Sequence, residues 1–337
     1  MDALLRLYSP FSRLVCGLKK ARLGKGAGRR RKAPLPVVSV GNLTVGGSEK
    51  TPFVIELLRH ALKLGLKPAL VTRGYRGSWE NGGGVPSDGQ AVLGSWREAG
   101  DEPVMIARRV PQAAIFVGKH RFRSCLRAAE AGARIAILDD GFQHLKLARD
   151  LDIVLHDAAS KSPLREGFSA LARADILLWK RGGGRDKLRA IQACFPALSV
   201  FEYQVKPVGL RRLGGDEALP LDALRGKRVL AVSGIARPER FASALRDLGA
   251  VPDSAFTFRD HYAYPAPVLE RIAAAVGPAG EIIPVTTEKD AVKLDGRLPA
   301  AAASRFLVLE IGLVLPPELL SHLGRVLTGL AEGRKEA

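Results

Sequence analysis

Cysteines, aromatic residues and long apolar runs are all scarce in this sequence of 337 residues. Its three cysteines, Cys16, Cys125 and Cys194, are isolated and odd in number, which excludes a disulfide framework or a zinc-ligand spacing and favours a reducing compartment. Aromatic residues make up 6% of the chain, and no run interleaves them with basic residues as a surface for single-stranded nucleic acid would. No stretch approaches the roughly eighteen apolar residues of a membrane span.

Acidic residues are also few relative to basic ones. Lysine and arginine number 52 against 34 acids, so the net charge is +18. Such an excess indicates a polyanionic partner, either nucleic acid or an anionic membrane surface. Because the aromatic residues of a nucleic-acid surface are missing, the composition favours lipid or phosphate, and we predict no nucleic-acid partner. The length predicts about two domains, and no obligate protein partner is indicated.

The first 33 residues have the composition of an amphipathic, basic segment. Charged residues at positions 2, 6 and 13 interrupt any apolar core, so we expect no cleavable signal. Ser9 and Pro10 predict a helix start, and basic residues are concentrated at 25–32. The helix would carry an apolar stripe formed by Phe11, Leu14, Val15 and Leu18. This pattern suits a helix in the membrane interface, and it suits equally a helix packed on the protein's own core.

Residues 35–58 predict a nucleotide phosphate-binding loop. The β-branched run 36–40 reads as a buried strand, and helical spacing begins at Pro52. The turn between them would present backbone N–H groups and the positive end of a helix dipole to a phosphate. Its residues are Thr44, Val45, Gly46, Gly47, Ser48, Glu49, Lys50 and Thr51. Lys50 would reach the β- and γ-phosphates of ATP, and the Thr51 hydroxyl would bind Mg²⁺.

The loop departs from the usual pattern at two positions. Thr44 and Glu49 stand where glycines are usual, six residues before the lysine and directly before it. A carboxylate beside a triphosphate is unfavourable unless it points outward or meets a cation. We therefore predict that the Glu49 side chain turns away from the phosphates. An ordinary strand-to-helix turn is the alternative interpretation of the whole stretch.

Apolar strands and helical segments alternate along the rest of the chain, which predicts a mostly parallel, doubly wound sheet. A boundary falls near 206–227, where glycine and proline cluster, and a second α/β series follows it. We predict two Rossmann-like α/β lobes, with the phosphate loop in the first and a smaller second lobe. The predicted parts are the segment 1–33, an ATP-binding lobe 34–205, a linker 206–227 and a lobe 228–337. A glycine-rich mobile loop is expected at about 82–94.

A second strand ends in two carboxylates. The apolar run 135–138 leads into Asp139 and Asp140, which should lie beside the phosphate loop at the carboxyl edge of the sheet. Carboxylates placed there can hold the Mg²⁺ of a bound nucleotide. One of the pair would bind the metal directly and the other would bind a water or a basic neighbour. The alternative is turn chemistry, because Asp-Asp-Gly also favours a turn.

Candidate residues for proton transfer and phosphate contact lie elsewhere in the chain. Asp101, in Gly-Asp-Glu-Pro at a helix start, is the best candidate for a general base, although it would equally cap that helix. His261 lies in a loop that could enter the cleft and tune this aspartate. Arg121 and the segment 286–290 are candidate phosphate or ribose contacts. For Arg121 a solvated helix start is the alternative.

Seven motifs, taken in chain order, resemble the tetraacyldisaccharide 4′-kinase family. They are Val40–Pro52, Thr72–Tyr75, Gly100–Pro103, Leu138–His144, Ser233–Ile235 with Pro238–Phe241, Asp260–His261 and Thr286–Asp290. The resemblance implies two Rossmann-like lobes and transfer of the γ-phosphate of ATP to the 4′-hydroxyl of a tetraacylated glucosamine disaccharide 1-phosphate. It implies an anionic glycolipid substrate, a catalytic pair at Asp101 and His261, and a peripheral or monotopic location at the cytoplasmic face of the bacterial inner membrane.

The resemblance also gives the basic N-terminus a use, because the acyl chains of such a substrate stay in the bilayer. Two departures from the family are visible. Glu49 stands where the family usually has glycine, and Tyr262 follows His261 where a second histidine is usual.

Two other functions compete with this interpretation. A regulatory GTPase or NTPase switch at the membrane would use the same phosphate loop and strand-end aspartate, but the guanine-recognition pattern Asn-Lys-x-Asp has no match in 287–290. A nucleic-acid-binding or structural membrane protein would explain the charge alone, and it leaves Lys50, Asp101 and Asp139 without a role.

Overall fold

The computed structural model describes residues 30–44, 49–160, 162–215, 217–276 and 282–333. Within these ranges the chain forms one continuous mixed sheet, mostly parallel, covered by helices. The strands are β1 (Val37–Asn42), β2 (Pro68–Thr72), β3 (Gly84–Asp88), β4 (Ala114–Val117), β5 (Ile135–Asp139), β6 (Leu151–His156), β7 (Ile176–Lys180), β8 (Ser199–Arg212), β9 (Ala218–Leu219), β10 (Arg228–Ser233), β11 (Val251–Thr257), β12 (Ile283–Thr287) and β13 (Leu307–Val314).

The helices alternate with these strands in most of the chain. They are α1 (Lys50–Lys63), α2 (Trp79–Gly82), α3 (Trp96–Ala99), α4 (Asp101–Arg109), α5 (Arg121–Glu130), α6 (Arg185–Cys194), α7 (Pro238–Asp247), α8 (Ala266–Val276), α9 (Glu288–Leu294), α10 (Ala300–Ala303) and α11 (Pro317–Glu332), with 3₁₀ turns at Phe168–Arg173 and Leu221–Leu224. The strand order across the sheet is β11-β10-β12-β13-β8-β7-β6-β1-β5-β2-β4-β3, and β9 pairs with β8.

The first half of the sheet, β1 to β7, is built around β1. This strand is buried along its whole length and pairs in parallel with β5 on one side and β6 on the other. Helix α1 packs on it through Phe53 and Leu57, and the C-terminal helix α11 joins the same core through Leu319 and Leu323. The central strands are buried on both faces, so their sequences are continuous apolar runs. This pattern made them predictable from the sequence.

Strand β8 joins the first half to the second half of the sheet, which contains β10 to β13. Residues 199–203 of β8 run parallel to β7, and residues 204–212 run antiparallel to β13. Strands β12 and β10 are parallel to β13 in turn. Because of this single antiparallel junction, the carboxyl ends of the second-half strands point back toward those of the first half. Loops at the two sets of strand ends therefore meet over one cavity.

The α/β class and the parallel sheet are confirmed, and the structure corrects several local predictions. Strand β2 matches the predicted residues 68–72, but the expected mobile loop at 82–94 contains strand β3. Residues 206–212 of the predicted linker continue β8, and β11 was not anticipated. The predicted amphipathic helix lies outside the described residues. Within the described ranges, none of the helices is long and apolar enough to cross a membrane.

We predict that Gly41→Ala destabilises the fold. A Cβ at Gly41, near the end of β1, would lie 2.4 Å from the Cβ of Phe142, which follows the two strand-end aspartates. Such overpacking costs about 1–3 kcal/mol in the free energy of unfolding, to be measured by urea denaturation. Gly329→Ala is the matched control, because a Cβ in that part of α11 meets nothing within 4 Å and should be neutral or stabilising. Equal stability of the wild type and Gly41→Ala would contradict this packing.

Candidate active site

A cavity of about 940 Å³ lies between the two halves of the sheet. The start of α1 and the ends of β2 and β5 line it from the first half. The loops after β10, β11 and β12 line it from the second half. Its charged lining residues include Glu49, Lys50, Arg73, Asp101, Glu102, Arg121, Asp139, Asp140, Arg165, Lys180, Lys206, Arg237, Arg240, Asp260, His261, Glu288 and Lys289. With Asp247, which also lines the cavity, nine lysines and arginines stand beside eight acids. The lining therefore supplies cations that can bind phosphates together with carboxylates.

The last three residues of the predicted phosphate loop, 49–51, line this cavity where α1 begins. Lys50 is the first residue of α1, and its Nζ lies 3.2 Å from Asn42 Oδ1 and 3.1 Å from Asp140 Oδ1. The first turn of α1 contains no acidic residue, so the positive end of its dipole is not offset there. Thr51 also lines the cavity, whereas Thr44 is buried beside Asn42. The predicted contacts at 45–48 lie outside the described residues.

The two strand-end aspartates have different surroundings. Asp139, the last residue of β5, is 5% exposed; its Oδ2 accepts from Thr72 Oγ1 at 3.2 Å, and its Oδ1 has no hydrogen-bond partner in the described structure. Burial, and then the nearby Glu102 carboxylate, raise the pKa of Asp139 to about 6. Asp140 contacts Lys50 and Arg165, at 3.1 and 2.9 Å. Against the effect of burial, these two cations lower the pKa of Asp140 to about 2.

Asp101 and His261 meet across the cavity, as the sequence suggested. Asp101 is the first residue of α4, in the first half, and His261 lies in the loop after β11, in the second. The Nδ1 atom of His261 lies 3.0 Å from each carboxylate oxygen of Asp101. Burial raises the pKa of Asp101, but the hydrogen bond from His261 and the charge of Lys289 outweigh this effect and lower the pKa to about 2. The Asp101 carboxylate is therefore ionised at any ordinary pH.

Two lysines of helix α9 contact this pair. Lys289 Nζ lies 3.0 Å from Asp260 Oδ1, 3.1 Å from Glu102 Oε1 and 3.2 Å from His261 Nε2. Lys293 Nζ lies 3.3 Å from Asp101 Oδ2. Within the segment 286–290, Thr287, Glu288 and Lys289 line the cavity, so this segment stays a candidate phosphate or ribose contact. Asp290 is fully buried and accepts from the Gly234 backbone N–H at 2.8 Å.

Glu49 is held by cations from both halves of the sheet. Its carboxylate contacts Lys180 at the end of β7, at 2.6 Å, and Arg240 of α7. Asp157 shares the same two cations, contacting Arg240 at 2.6 Å and Lys180 at 3.5 Å. We call these four residues the Glu49 cluster. The negative charge of Glu49, which the sequence analysis identified as unfavourable beside a triphosphate, is thus compensated by two cations of the same chain.

Arg121 is buried, so the interpretation as a solvated helix start is wrong. It is 6% exposed and donates from Nη1 to the Gly118 carbonyl at 2.6 Å, and it lines the cavity.

Sequence reasoning missed several site residues. Among them are Arg165, Lys180, Arg240 and Lys293. Arg165 and Lys180 lie at isolated positions with no motif spacing around them, whereas Arg240 lies within the motif Pro238–Phe241, which could have indicated it. Lys293 could have been found, because it lies three residues after Asp290 on a helix, a spacing that pairs opposite charges.

A family model described as tetraacyldisaccharide-1-P 4′-kinase matches residues 1–328. A tetraacyldisaccharide 4′-kinase from Geobacter metallireducens is 38% identical over 335 residues, covering 96% of this chain and 98% of the relative. One from Anaeromyxobacter sp. strain K is 39% identical, covering 91% of this chain and 85% of the relative.

A solved structure shares the fold. It is the "apo" form of LpxK from Aquifex aeolicus in complex with ATP. The two chains are 30% identical, the TM-score is 0.73, and the match covers 97% of this chain and 99% of the other.

We predict that Glu49→Gly changes the KM for ATP by less than about tenfold, roughly 1.4 kcal/mol. Glu49 has a φ of 60°, which glycine adopts without strain, and the loss of its carboxylate leaves Asp157 to pair with the two cations. Steady-state kinetics with varied ATP measure the change. Glu49→Gln is the matched control, since it removes the charge and retains the side chain. A decrease of more than tenfold in the KM for ATP would mean that the carboxylate faces the phosphates.

Proposed function

The chain belongs to the tetraacyldisaccharide-1-P 4′-kinase family, and we propose that it transfers the γ-phosphate of ATP to the 4′-hydroxyl of a tetraacylated glucosamine disaccharide 1-phosphate, giving lipid IVA. The observation that carries this proposal is the Asp101–His261 pair, at 3.0 Å, on the same cavity as Lys50 and Asp139. A kinase needs a group that accepts the proton of an alcohol, and a nucleotide switch does not. The pair thus favours the kinase over the switch.

Asp101 accepts the proton of the attacking hydroxyl in this mechanism. Phosphoryl transfer passes through a loose transition state, so the enzyme mainly positions the reactants and neutralises charge. The attacking hydroxyl therefore loses its proton late in the reaction. A carboxylate of low pKa is always available as an acceptor. His261, bonded to both Asp101 oxygens, fixes the orientation of this carboxylate.

The phosphates of ATP would be bound at the start of α1 and by the surrounding cations. Lys50 lies at the helix start, where the predicted loop would deliver its ammonium to the β- and γ-phosphates. Arg121 lines the same cavity and contributes positive charge. Charge neutralisation on the transferred group is the main catalytic requirement that these residues would meet.

We further propose that Mg²⁺ is held by Asp139 and Thr51, with Asp140 in support. The fit rests on the buried Oδ1 of Asp139, which has no partner among the described residues. It also rests on donor chemistry, because Mg²⁺ prefers one or two carboxylates together with substrate phosphates and water. In the described ranges, no cluster of three or more metal-ligating side chains is present, as expected for such a shared site. When bound, the ion would neutralise charge on the phosphates.

The proposed substrate also accounts for the basic composition. An anionic glycolipid attracts a chain of net charge +18, and its acyl chains would remain in the bilayer during phosphorylation. We propose that the chain acts at the cytoplasmic face of the inner membrane, with residues 1–33 on the lipid surface. The two halves of the sheet would act as the two lobes that enclose ATP and the sugar.

We predict that Asp101→Ala abolishes most of the transfer. The assay measures radiolabelled γ-phosphate transferred from ATP to detergent-dispersed tetraacyl disaccharide 1-phosphate. Loss of the acceptor carboxylate should lower kcat about a thousandfold, or about 4 kcal/mol. Asp186→Ala, an exposed acid at the start of α6, is the control and should leave kcat unchanged. A folded, ATP-binding wild type without transfer would overturn the proposed function.

We predict that Asp139→Asn raises the Mg²⁺ concentration required for half-maximal transfer by at least about tenfold. The neutral amide is a poorer ligand for a hard cation. Asp140→Asn should change this requirement less, because Asp140 is paired with Lys50 and Arg165. Magnesium titrations of both variants at saturating ATP measure the difference. If Asp140→Asn had the larger effect, the two aspartates would have the opposite roles.

A further inference from the structure

Helices α4 and α9 form a polar joint between the two halves of the sheet. At one end of α4, Arg109 contacts Glu288 at 2.5 Å, and each side chain is 8% exposed. At the other end, Asp101 contacts Lys293. Helix α4 belongs to the first half and α9 follows β12 in the second, so the joint fixes the catalytic aspartate relative to both halves. Buried contacts of this kind hold a precise arrangement because breaking one leaves a charge uncompensated.

Lys293 is the deepest charged group of this joint. Its side chain is 1% exposed, and it does not line the cavity. Its Nζ lies 3.3 Å from Asp101 Oδ2 and 2.9 Å from Asp290 Oδ1, and it lies above the Tyr264 ring at 5.5 Å from the centroid. An ammonium in such a place acts on Asp101 and not on substrate.

Lys289 determines which nitrogen of His261 carries the proton. An ammonium has three N–H donors and no acceptor, so the 3.2 Å contact of Lys289 is a hydrogen bond when His261 Nε2 is unprotonated. The competing acceptor, Asp260 Oδ2, lies 3.6 Å from Nε2, beyond hydrogen-bond distance. The ring proton then resides on Nδ1, which donates to Asp101. The hydrogen-bond network thus assigns the tautomer of this histidine.

We propose that Lys293 and Lys289 are positioning residues of the kinase reaction: Lys293 holds the Asp101 carboxylate, and Lys289 fixes the His261 tautomer that donates to it. The proposal rests on the proposed function, since it concerns the same acceptor site. Lys293 does not line the cavity, and the Nζ of Lys289 is engaged by Glu102, Asp260 and His261. The two lysines act by presenting Asp101 in one charge state and one orientation.

The arrangement leaves room on Asp101 for the attacking hydroxyl. The two carboxylate oxygens offer about four lone-pair sites. Three donors make four contacts with them: the Glu102 backbone N–H with Oδ1 at 3.0 Å, Lys293 Nζ with Oδ2 at 3.3 Å, and His261 Nδ1 with both oxygens at 3.0 Å. Because the single Nδ1–H of His261 is shared between the two oxygens, it can donate to one of them while the alcohol approaches the other from the cavity, which Asp101 lines. The charged groups close to Asp101 are Lys289 and Lys293 of α9, His261 and Asp260 of its loop, and Glu102 of α4.

The first test is the pH dependence of kcat in Lys293→Met. Burial favours protonation of Asp101 and Lys293 opposes it, so removing the ammonium raises the pKa of this carboxylate. A protonated Asp101 cannot accept the hydroxyl proton, so activity is lost as pH falls through the raised value. In the wild type the pKa of about 2 keeps the acid limb below the ordinary pH range, so we expect Lys293→Met to show a fall in kcat toward about pH 5 that the wild type lacks, with an unchanged KM for ATP. Lys293→Arg keeps the charge and should restore the wild-type limb.

Two further variants separate positioning from packing. Leu294→Ala removes a fully buried apolar side chain from the same helix and leaves the charges in place. If it moved the acid limb as much as Lys293→Met does, helix placement and not the ammonium would be responsible. If Lys293→Met does not fold, the double variant with Asp290→Asn and Lys293→Met takes its place, because it removes both buried charges together. The single variant Asp290→Asn is then the reference. An acid limb that stays at its wild-type position in these folded variants would overturn the proposal.

The second test concerns Lys289. Nitrogen-15 NMR of the imidazoles, with His261→Gln to assign the resonance, should show a single Nδ1–H tautomer in the wild type and a mixture in Lys289→Met. An unchanged tautomer would overturn the role of Lys289. The NMR result needs no substrate, so it stays informative if transfer to the disaccharide fails in the wild type, which would overturn the proposed function instead.

Discussion

The buried contact between Asp101 and Lys293 joins the two halves of the sheet at the catalytic pair, in addition to the strand pairing along β8 and the packing of α11 on the first half. Burying the charge of Asp101 or of Lys293 alone would cost free energy, and here each charge is buried against the other. A shift of either helix would leave an unpaired charge in an apolar environment. The second contact of the joint, between Arg109 and Glu288, has the same property. The relative placement of α4 and α9 is therefore fixed by electrostatics as much as by apolar packing. This placement brings His261 within 3.0 Å of Asp101.

The antiparallel junction at β8 is the topological counterpart of that contact. Had β13 paired in parallel with β8, the carboxyl ends of β10 and β12 would point away from the phosphate loop. The observed pairing turns them toward it, so one cavity receives the strand ends of both halves. Lys50 and Asp139 of the first half and His261 of the second half therefore line the same cavity.

The Glu49 cluster shows how one unusual residue is accommodated. The position before Lys50 has a φ of 60°, a conformation that favours glycine, and a glutamate there costs about 1 kcal/mol or more in backbone strain. Its carboxylate lies between Lys180 and Arg240, and Asp157 completes a cluster of two acids and two bases. The cluster is electrically balanced, and it contains residues from both halves of the sheet.

The sequence alone determined the α/β class, strands such as Pro68–Thr72, the strand-to-helix order around Lys50, and the candidacy of Asp101, Asp139 and His261. These features depend on short-range signals, because apolar runs, helix starts and motif spacing are local properties of the chain. Only the tertiary structure decided that β8 extends into the predicted linker as far as Arg212, that Arg121 is buried, and that Lys293 contacts Asp101. Those outcomes depend on contacts between residues up to 192 positions apart, and no local pattern encodes which distant charges will share one buried site.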